Sequence, residues 1–202
     1  ASIINTNGIN HYELIKEEYY EYDLKIYKDI HTLKKKIQKA DDLKTLSNEI
    51  AKLEREITIF QAKIIQKLNL DKNVIIGFHG QTIYHNPKEK ISKQLGNGKL
   101  LNQLTNRQVV FNFRNNDIIN GGQGAPLTPI FHQLLAEKNK IKLPVCFLNI
   151  GGISNITIVY SKEDPMKLVS RDIGPGNCLI DSWVRNNSEK KYDNDGKLAS
   201  IG

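Results

Sequence analysis

Asp117 is the residue whose type and position point most directly to chemistry. It lies four residues beyond the apolar end of a predicted strand, and the glycine-rich segment Gly121–Gly124 follows it. A carboxylate in that place can take a proton from a substrate hydroxyl or from water. On spacing alone, a helix cap or a turn aspartate is the more common role. Asp117 is therefore a candidate general base whose role depends on the site around it.

Three polar, glycine-rich loops each follow a predicted strand. They are His79–Thr82, Asp117–Gly124 and Asn149–Asn155. Ligands of α/β proteins gather at the carboxyl ends of strands, and glycines let backbone N–H groups approach an anion. None of the three loops matches the P-loop or the dinucleotide-binding glycine pattern. Each loop alone is more simply explained as a turn, and His79 by itself is compatible with either substrate contact or a hydrogen bond within its loop.

The remaining carboxylates, histidines and thiols define no second reaction centre. Asp193, Asp195 and Gly196 resemble the start of a calcium loop, but no acidic ligand follows at the required spacing, so a surface turn is the better interpretation. Metal-ligand spacing is absent among the histidines His11, His31, His85 and His132. The two cysteines are too few for a disulfide framework or a four-cysteine zinc site, and they suit a reducing cytoplasm.

The positive charge of the chain does not by itself indicate nucleic-acid binding. The net charge is +7, but 24 of the 29 basic residues are lysine and only five are arginine, the residue that most often reads bases. The 27 isoleucines and 21 asparagines share AT-rich codons with lysine, so genome composition explains the balance. A basic nucleic-acid-binding module stays an unfavoured alternative. We expect no membrane association, because no apolar run is long enough to span a bilayer. We also expect no secretory signal, because no charged segment followed by an apolar one opens the chain.

The first third of the chain predicts strands followed by helices. Short apolar runs at Ser2–Ile4, Tyr12–Lys16 and Asp23–Tyr27 are typical of strands, and Asn7-Gly8 favours a hairpin between the first two. An apolar residue then recurs every three or four positions over 33–68, which indicates an amphipathic helix. Asp41-Asp42 favours two helices packed on a sheet over one coiled coil.

The rest of the chain predicts alternating strands and helices. Five further strands are expected, at Val74–Phe78, Val109–Phe113, Val145–Ile150, Ile156–Tyr160 and Leu168–Asp172. Helices are expected from Ala125-Pro126 to about Lys138 and over Cys178–Asn187. The third and fourth of these strands flank Gly151-Gly152 and are expected to form a hairpin.

Five segments, taken together and in order, resemble the anhydro-N-acetylmuramic acid kinase family over nearly the whole chain. They are GFHGQTIYHNP at Gly77–Pro87, NFRNNDIINGGQGAPLTPIFH at Asn112–His132, LNIGGISNIT at Leu148–Thr157, RDIGPGNCLIDSW at Arg171–Trp183 and YDNDGKLASIG at Tyr192–Gly202. The resemblance implies the α/β fold of actin-like sugar kinase ATPases, which is ribonuclease H-like, with a mixed sheet flanked by helices. It also implies an N-terminal lobe over 1–140, with a long helical segment at 33–68, and the beginning of a C-terminal ATPase lobe over 141–202.

The resemblance also implies an activity. The family uses ATP and Mg²⁺ to phosphorylate 1,6-anhydro-N-acetylmuramic acid while water opens the anhydro ring, which yields N-acetylmuramic acid 6-phosphate during peptidoglycan recycling in the cytoplasm. Asp117 matches the family's base for the ring-opening water, and no metal-ligating residue is expected in this chain. Substrate contacts are implied at His79, Gly80, Gln81, Thr82 and Arg114. ATP contacts are implied at Asn149, Gly151, Gly152, Asn155, Gly174, Gly176 and Asn177.

Departures from the family pattern limit what is expected of this chain alone. Ala1 begins just after the place of the family's first phosphate loop, and the family continues well beyond the position of Gly202. Asn97 stands where the family has Asp, and Ile173 replaces a common Thr. We therefore expect a fragment that is inactive by itself, which a second copy or a second polypeptide would complete. The alternative is a non-catalytic remnant of the kinase.

Overall fold

The computed structural model describes residues 1–161, 164 and 167–201. The chain divides into two compact units. Unit 1 contains Ala1–Thr6 and Tyr12–Ala125, and unit 2 contains Asn7–His11 and Pro126–Gly202. This division falls earlier in the chain than residue 140, where the boundary between the two lobes is predicted. The division into lobes itself stays a prediction. The mixed α/β class predicted from the sequence is confirmed in both units.

The N-terminal strands form a hairpin, and the helix after them replaces a predicted strand. Strand β1 (Ser2–Thr6) pairs antiparallel with β2 (Tyr12–Glu17), as predicted. The strand expected at Asp23–Tyr27 is wrong, because helix α1 spans Leu24–Lys36. The Asp23 carboxylate caps this helix by accepting the Ile26 N–H at 2.8 Å, a hydrogen bond that favours the first helical turn.

The predicted helical stripe becomes two main helices with a break at Asp41-Asp42. Helix α2 is short (Asp42–Thr45), and helix α3 spans Ser47–Lys67. The Asp42 carboxylate accepts the N–H groups of Gln38 and Lys39, which holds the break and lowers the pKa of Asp42. The apolar faces of α1 and α3 form a core with two strand residues, so the interpretation of paired helices on a sheet is confirmed. Its buried members are Ile26, Ile30, Leu33, Ile37, Ile50, Leu53, Ile57, Ile83 and Leu95.

The rest of unit 1 consists of short strands and helices. Strands β3 (Ile76–Phe78) and β6 (Val109–Phe111) pair in parallel, and β4 (Gln81–Asn86) and β5 (Ile91–Leu95) pair antiparallel. Helix α4 spans Gly98–Thr105 and helix α5 spans Phe113–Ile119. Two expectations are therefore wrong: His79–Thr82 is not wholly a loop, and the strand predicted to reach Phe113 ends at Phe111. A second core cluster contains Ala62, Phe78 and Leu101.

Unit 2 is built on a three-stranded antiparallel sheet. Strands β7 (Val145–Ile150), β8 (Ile153–Val159) and β9 (Leu168–Pro175) lie in that order, so the predicted hairpin around Gly151-Gly152 is confirmed. Helix α6 spans Pro129–Lys138 and starts later than predicted, with Pro129 in its first turn. Helix α7 spans Asn177–Asn187. In the part of the chain that the structure describes, no helix is long and apolar enough to cross a bilayer.

Candidate functional site

Asp117 lies on helix α5 rather than in the loop that the sequence predicts. The neighbouring side chain of Ile118 is only 2% exposed and anchors this short helix, whereas Asp117 is at the surface. The structure therefore presents the candidate base on a regular element. Its carboxylate points to the glycine loop that follows, as its hydrogen bond shows.

The loop Gly121–Gly124 folds back over the Asp117 side chain. The Gly124 N–H donates to Asp117 Oδ2 at 2.6 Å, and the Gly122 N–H donates to the Asp117 main-chain carbonyl at 2.8 Å. A Cβ atom at Gly122 would overlap the Asp117 carboxylate, so a side chain at that position would displace it. Gly124 has φ +65°, which favours glycine, and a Cβ there would lie 2.7 Å from the Ile118 side chain. The glycines are thus required to hold the carboxylate.

Arg114 connects this loop to the residue that follows strand β3. It lies one helical turn before Asp117, so both side chains leave the same face of α5. Its Nη1 donates to the Gly124 carbonyl at 2.6 Å, and its Nε donates to His79 Nε2 at 3.1 Å. Burial lowers the pKa of the Arg114 guanidinium, which still stays protonated because its ordinary pKa is so high. Gly124 is consequently held through both its N–H and its carbonyl.

Both ring nitrogens of His79 take part in hydrogen bonds within the protein. Nδ1 lies 2.8 Å from the Gly80 carbonyl oxygen, and Nε2 faces the Arg114 guanidinium. A carbonyl only accepts and a guanidinium only donates, so the proton of the neutral ring is on Nδ1 and Nε2 is the acceptor. A ring-nitrogen contact with substrate would have to replace one of these bonds. The substrate contact expected at His79 stays a prediction.

The other residues predicted to contact substrate lie at the start of strand β4. Gly80 has φ +71°, and a Cβ atom there would overlap the Leu95 carbonyl, so glycine is needed where β4 approaches β5. Gln81 and Thr82 belong to β4 and pair with Leu95 and Gln94. Their substrate contacts remain predictions. Strand pairing gives these residues fixed positions, which the expected loop would not.

A cleft of about 290 Å³ lies within unit 1 beside His79, and we call it the Lys99 cleft. His79 is the residue of the predicted substrate set that lines it; Asp117 and Arg114 are not among its lining residues. Lys93, Gln94 and Lys99 were not predicted as site residues, since they lie on β5 and α4, two elements that were not predicted either. The cleft is lined by Glu54, Phe78, His79, Ser92, Lys93, Gln94, Gly96, Asn97, Gly98, Lys99, Phe111, Asn112 and Asn115.

In unit 2, strand pairing aligns three polar residues across the sheet. Asn149 on β7 is opposite Asn155 on β8, and Asn155 is opposite Asp172 on β9. Paired residues of an antiparallel sheet share a face, so these side chains are neighbours. Amide and carboxylate oxygens are the donors that Mg²⁺ prefers, so the residue types fit a site beside ATP phosphates. The structure thus brings together two residues predicted to contact ATP and one carboxylate that was not predicted.

The turn Gly151-Gly152 caps helix α7. The Gly176 and Asn177 N–H groups donate to the carbonyls of Gly152 and Gly151 at 2.9 and 2.7 Å, and the Cys178 N–H reaches the Gly152 carbonyl at 3.3 Å. These N–H groups are therefore engaged within the protein, and an anion would have to compete with the carbonyls for them. A Cβ atom at Gly176 would overlap the Gly151 carbonyl oxygen.

Gly174, the remaining residue predicted to contact ATP, lies on β9 opposite Ser154 with φ +152°.

The predicted surface turn near residue 193 is present, because the Asp193 carboxylate accepts the Leu198 and Ala199 N–H groups at 2.8 and 3.0 Å. These bonds lower the pKa of Asp193, the Leu198 bond most. Over residues 1–161, 164 and 167–201, no group of three or more His, Cys, Asp or Glu side chains is placed to hold a metal ion.

Comparison with known proteins identifies one family. The family model described as anhydro-N-acetylmuramic acid kinase matches residues 2–202. The chain is 54% identical, over its full length, to the anhydro-N-acetylmuramic acid kinase of Pelagibacter ubique, of which it covers 54%. It is 39% identical to the enzyme of that name from Rhizobium etli and 41% identical to that from Brucella canis, in each case over 76% of this chain. It covers 43% and 42% of those two proteins, so the chain spans about half the length of the curated relatives that it matches.

Proposed function

The chain belongs to the anhydro-N-acetylmuramic acid kinase family, and from this we propose that the protein transfers the γ-phosphoryl group of ATP to 1,6-anhydro-N-acetylmuramic acid. Water opens the anhydro ring in the same reaction, and the product is N-acetylmuramic acid 6-phosphate. The protein would act in the cytoplasm, in the reuse of peptidoglycan sugars. The single observation that best supports this proposal in the chain itself is the Asp117 carboxylate held by the glycine loop.

In the proposed reaction Asp117 is the general base. It takes a proton from the water whose oxygen attacks the anomeric carbon of the sugar. The bond from that carbon to the bridging oxygen breaks, and its electron pair stays on the bridging oxygen, which accepts the phosphoryl group from ATP as ADP leaves. Because the Gly124 N–H bonds to Oδ2 at 2.6 Å, Oδ1 is the oxygen that we propose accepts the proton.

Arg114 and His79 support this base indirectly in the proposal. Arg114 holds the Gly124 carbonyl at 2.6 Å, so it fixes the residue whose N–H binds Asp117. The Nε–H of the same guanidinium donates to Nε2 of His79, whose neutral ring carries its proton on Nδ1. The same series of hydrogen bonds connects the base to Gly80, the first of the residues Gly80, Gln81 and Thr82 for which substrate contacts are proposed. Proper orientation of the attacking group is worth a large part of a reaction barrier.

On the ATP side, we propose that the turn Gly151-Gly152, Gly174 and the segment Gly176-Asn177 contact the phosphates. Mg²⁺, when bound with ATP, neutralises phosphate charge during transfer. Asn149, Asn155 and Asp172 are the side chains that would hold it. We also propose that residues beyond these 202 positions complete the site, supplied by a further segment, a second copy or a second polypeptide.

A chimaera tests the proposed function. In it, these 202 residues replace the matching residues of the Pelagibacter ubique relative, which is 54% identical to them. Incubation with Mg²⁺-ATP and 1,6-anhydro-N-acetylmuramic acid is expected to yield a product heavier by one phosphoryl group and one water, detected by mass spectrometry. The 202-residue chain alone is expected to form none. A folded chimaera without product, beside an active parent, would contradict the proposal and favour the non-catalytic remnant.

A further inference from the structure

The chain contains three Asn-Gly pairs, and the structure places each of them in a different setting. They are Asn7-Gly8, Asn97-Gly98 and Asn120-Gly121. An asparagine followed by glycine is prone to spontaneous deamidation, because glycine has no side chain to shield its nitrogen and permits wide backbone rotation. Which of the three pairs reacts in the folded chain depends on the hydrogen bonds that the reaction has to break.

The reaction is intramolecular and needs only water as a co-reactant. The glycine nitrogen loses its proton and forms a bond to Cγ of the asparagine, and the bond from Cγ to Nδ2 breaks as ammonia leaves. Water then opens the resulting succinimide ring at one of its two carbonyls. The product is aspartate or isoaspartate, and in isoaspartate the main chain runs through the former side chain and is longer by a methylene group.

Asn97 is held by the helix that it caps. Its Oδ1 accepts the Leu100 N–H at 2.9 Å, and its main-chain carbonyl accepts the Leu101 N–H at 2.9 Å. Gly98 is buried, and a Cβ there would overlap the Phe111 ring, so this backbone has little room to rotate. Attack on Asn97 would therefore require the first turn of α4 to open.

The Asn7 side chain is held by the turn that it begins. Its Oδ1 accepts the N–H groups of Ile9, Asn10 and His11 at 3.1, 3.1 and 2.9 Å. Its Nδ2 donates to Asn10 Oδ1 at 2.9 Å. Ring closure removes Nδ2 and moves Oδ1, so it would disrupt this whole set of bonds.

Asn120 and Gly121 are both exposed at the C-terminal end of α5. Within the described residues no group donates to Asn120 Oδ1, and Nδ2 is held by Asn116 alone, whose carbonyl it reaches at 2.7 Å. The Gly121 N–H donates to the Ile118 carbonyl at 3.1 Å, a bond of the last helical turn, where opening costs least. A Cβ built at Gly121 would meet no described atom within 4 Å, so this backbone has room to rotate.

We propose that Asn120 is a site of spontaneous deamidation, and that its conversion to isoaspartate loosens the hold of the loop Gly121–Gly124 on Asp117. Isoaspartate lengthens the main chain between α5 and the two glycines whose N–H groups bind the Asp117 carboxylate and carbonyl. Both products also add a negative charge at the C-terminal end of α5, where the helix dipole disfavours it. The modification does not depend on the proposed function.

The test is ageing of the folded 202-residue chain at mildly alkaline pH, followed by protease digestion and mass spectrometry. Conversion of an amide to an acid raises the mass of the peptide that contains it, and chromatography separates its aspartate and isoaspartate forms. Asn120 is expected to convert about tenfold or more faster than Asn7 and Asn97, because the bonds at those two must open first. In denaturant the three pairs should convert at similar rates. Asn120→Gln is the matched variant, since its longer side chain closes the ring far more slowly.

A second measurement tests the effect on the loop. In the ¹⁵N-labelled chain the amide signals of Gly122 and Gly124 should move as isoaspartate accumulates, and they should stay in place in aged Asn120→Gln. Conversion of Asn7 or Asn97 as fast as that of Asn120 in the folded chain would overturn the assignment of the site. Unmoved Gly122 and Gly124 signals in a converted chain would overturn the effect on Asp117. Neither readout measures kinase activity, so a failure here is distinct from a failure of the proposed function.

Discussion

Arg114 Nε donates a hydrogen bond to His79 Nε2 at 3.1 Å, between residues 35 positions apart. The bond defines which ring nitrogen of His79 carries the proton, since a guanidinium has no acceptor. The same guanidinium donates to the Gly124 carbonyl at 2.6 Å, and Gly124 in turn donates to Asp117. Four hydrogen bonds therefore run from the Gly80 carbonyl to the carboxylate that we propose as the base.

Replacing Arg114 by Lys is expected to break this chain of hydrogen bonds. An ammonium is a single charged centre and cannot reproduce the planar fork that reaches His79 and Gly124 together. We expect the His79 ring to lose its uniform Nδ1–H state, as seen in the ¹⁵N shifts of the ring. In the active chimaera the variant should lower kcat about tenfold or more, with a smaller change in KM.

Arg107→Lys is the control, because Arg107 donates to the Leu70 and Thr105 carbonyls away from this network. It should leave the His79 ring shifts unchanged. An Arg114→Lys variant with unaltered His79 shifts and unaltered kcat would show that the guanidinium does not position the base.

Gly122→Ala is expected to harm the reaction more than the fold. The added methyl group would overlap the Asp117 carboxylate, which can rotate away because it is the end of an exposed side chain. The chimaera should therefore lose activity by about tenfold or more while its unfolding temperature changes little.

Gly77→Ala provides the comparison for Gly122→Ala, since a methyl group there makes only an ordinary contact of 3.8 Å with Phe113. It should retain activity. Full activity in Gly122→Ala would mean that the orientation of Asp117 seen here is not needed for the reaction.

Gly176→Ala should destabilise unit 2. The methyl group would meet the Gly151 carbonyl oxygen, which is backbone and cannot rotate away. The expected loss is about 1–3 kcal/mol in the free energy of unfolding, measured by denaturant titration. Gly152→Ala is the matched variant for stability, because no atom of the described residues lies within 4 Å of the added atom. Equal stability of the two variants would contradict the contact between the turn and helix α7.

A secondary-structure element could be predicted from the sequence where the residues that determine it are neighbours in the chain. Strand β7 has the predicted bounds Val145–Ile150, because its apolar run between polar segments is a local signal. The strand predicted at the start of α1 is wrong, because Asp23–Tyr27 alternates apolar and polar residues as a strand does. Only the helix cap formed by Asp23 distinguishes this segment as the start of a helix. Strands β4 and β5 were missed because polar residues such as Gln81 and Lys93 occupy them.

The candidate site, too, could be predicted only where its residues form a recognisable local sequence pattern. The five family segments allowed the family to be predicted, and the comparisons confirm it. Helix α5 was not predicted, because Arg114 to Asp117 is a polar run. The charged side chains of this helix form hydrogen bonds with a residue that follows the helix and with one far away in the sequence, which a local pattern does not show. Lys99 carries no motif at all. Its position beside the Lys93–Glu54 ion pair, with no salt bridge of its own among the described residues, is a property of the folded chain.

His132 should make the stability of unit 2 depend on pH. Its ring stacks on Phe147 with centroids 4.9 Å apart, and burial lowers its pKa below the ordinary value of 6.5. Nδ1 is buried and has no hydrogen-bond partner among the residues that the structure describes, so the neutral ring is favoured in the folded state. The unfolded chain then binds the proton more readily, and the stabilisation present above pH 6.5 is lost as the pH falls through the folded pKa.

Unfolding temperatures measured from pH 8 to pH 5 test this dependence. His132→Phe keeps an aromatic ring against Phe147 but cannot be protonated, so its unfolding temperature should fall less than that of the unmodified chain below pH 6.5. Parallel curves for the two proteins would show that His132 does not contribute to the pH dependence.

The most direct test of the proposed site is the initial rate of product formation by the chimaera with Asp117→Asn. Asn keeps the size of the side chain but cannot take up the proton, so we expect the rate to fall about a hundredfold or more. Asp195→Asn, in the surface turn, is the matched control and should keep the rate of the unmodified chimaera. An Asp117→Asn chimaera that forms N-acetylmuramic acid 6-phosphate at the unmodified rate would contradict the assignment of Asp117 as the base.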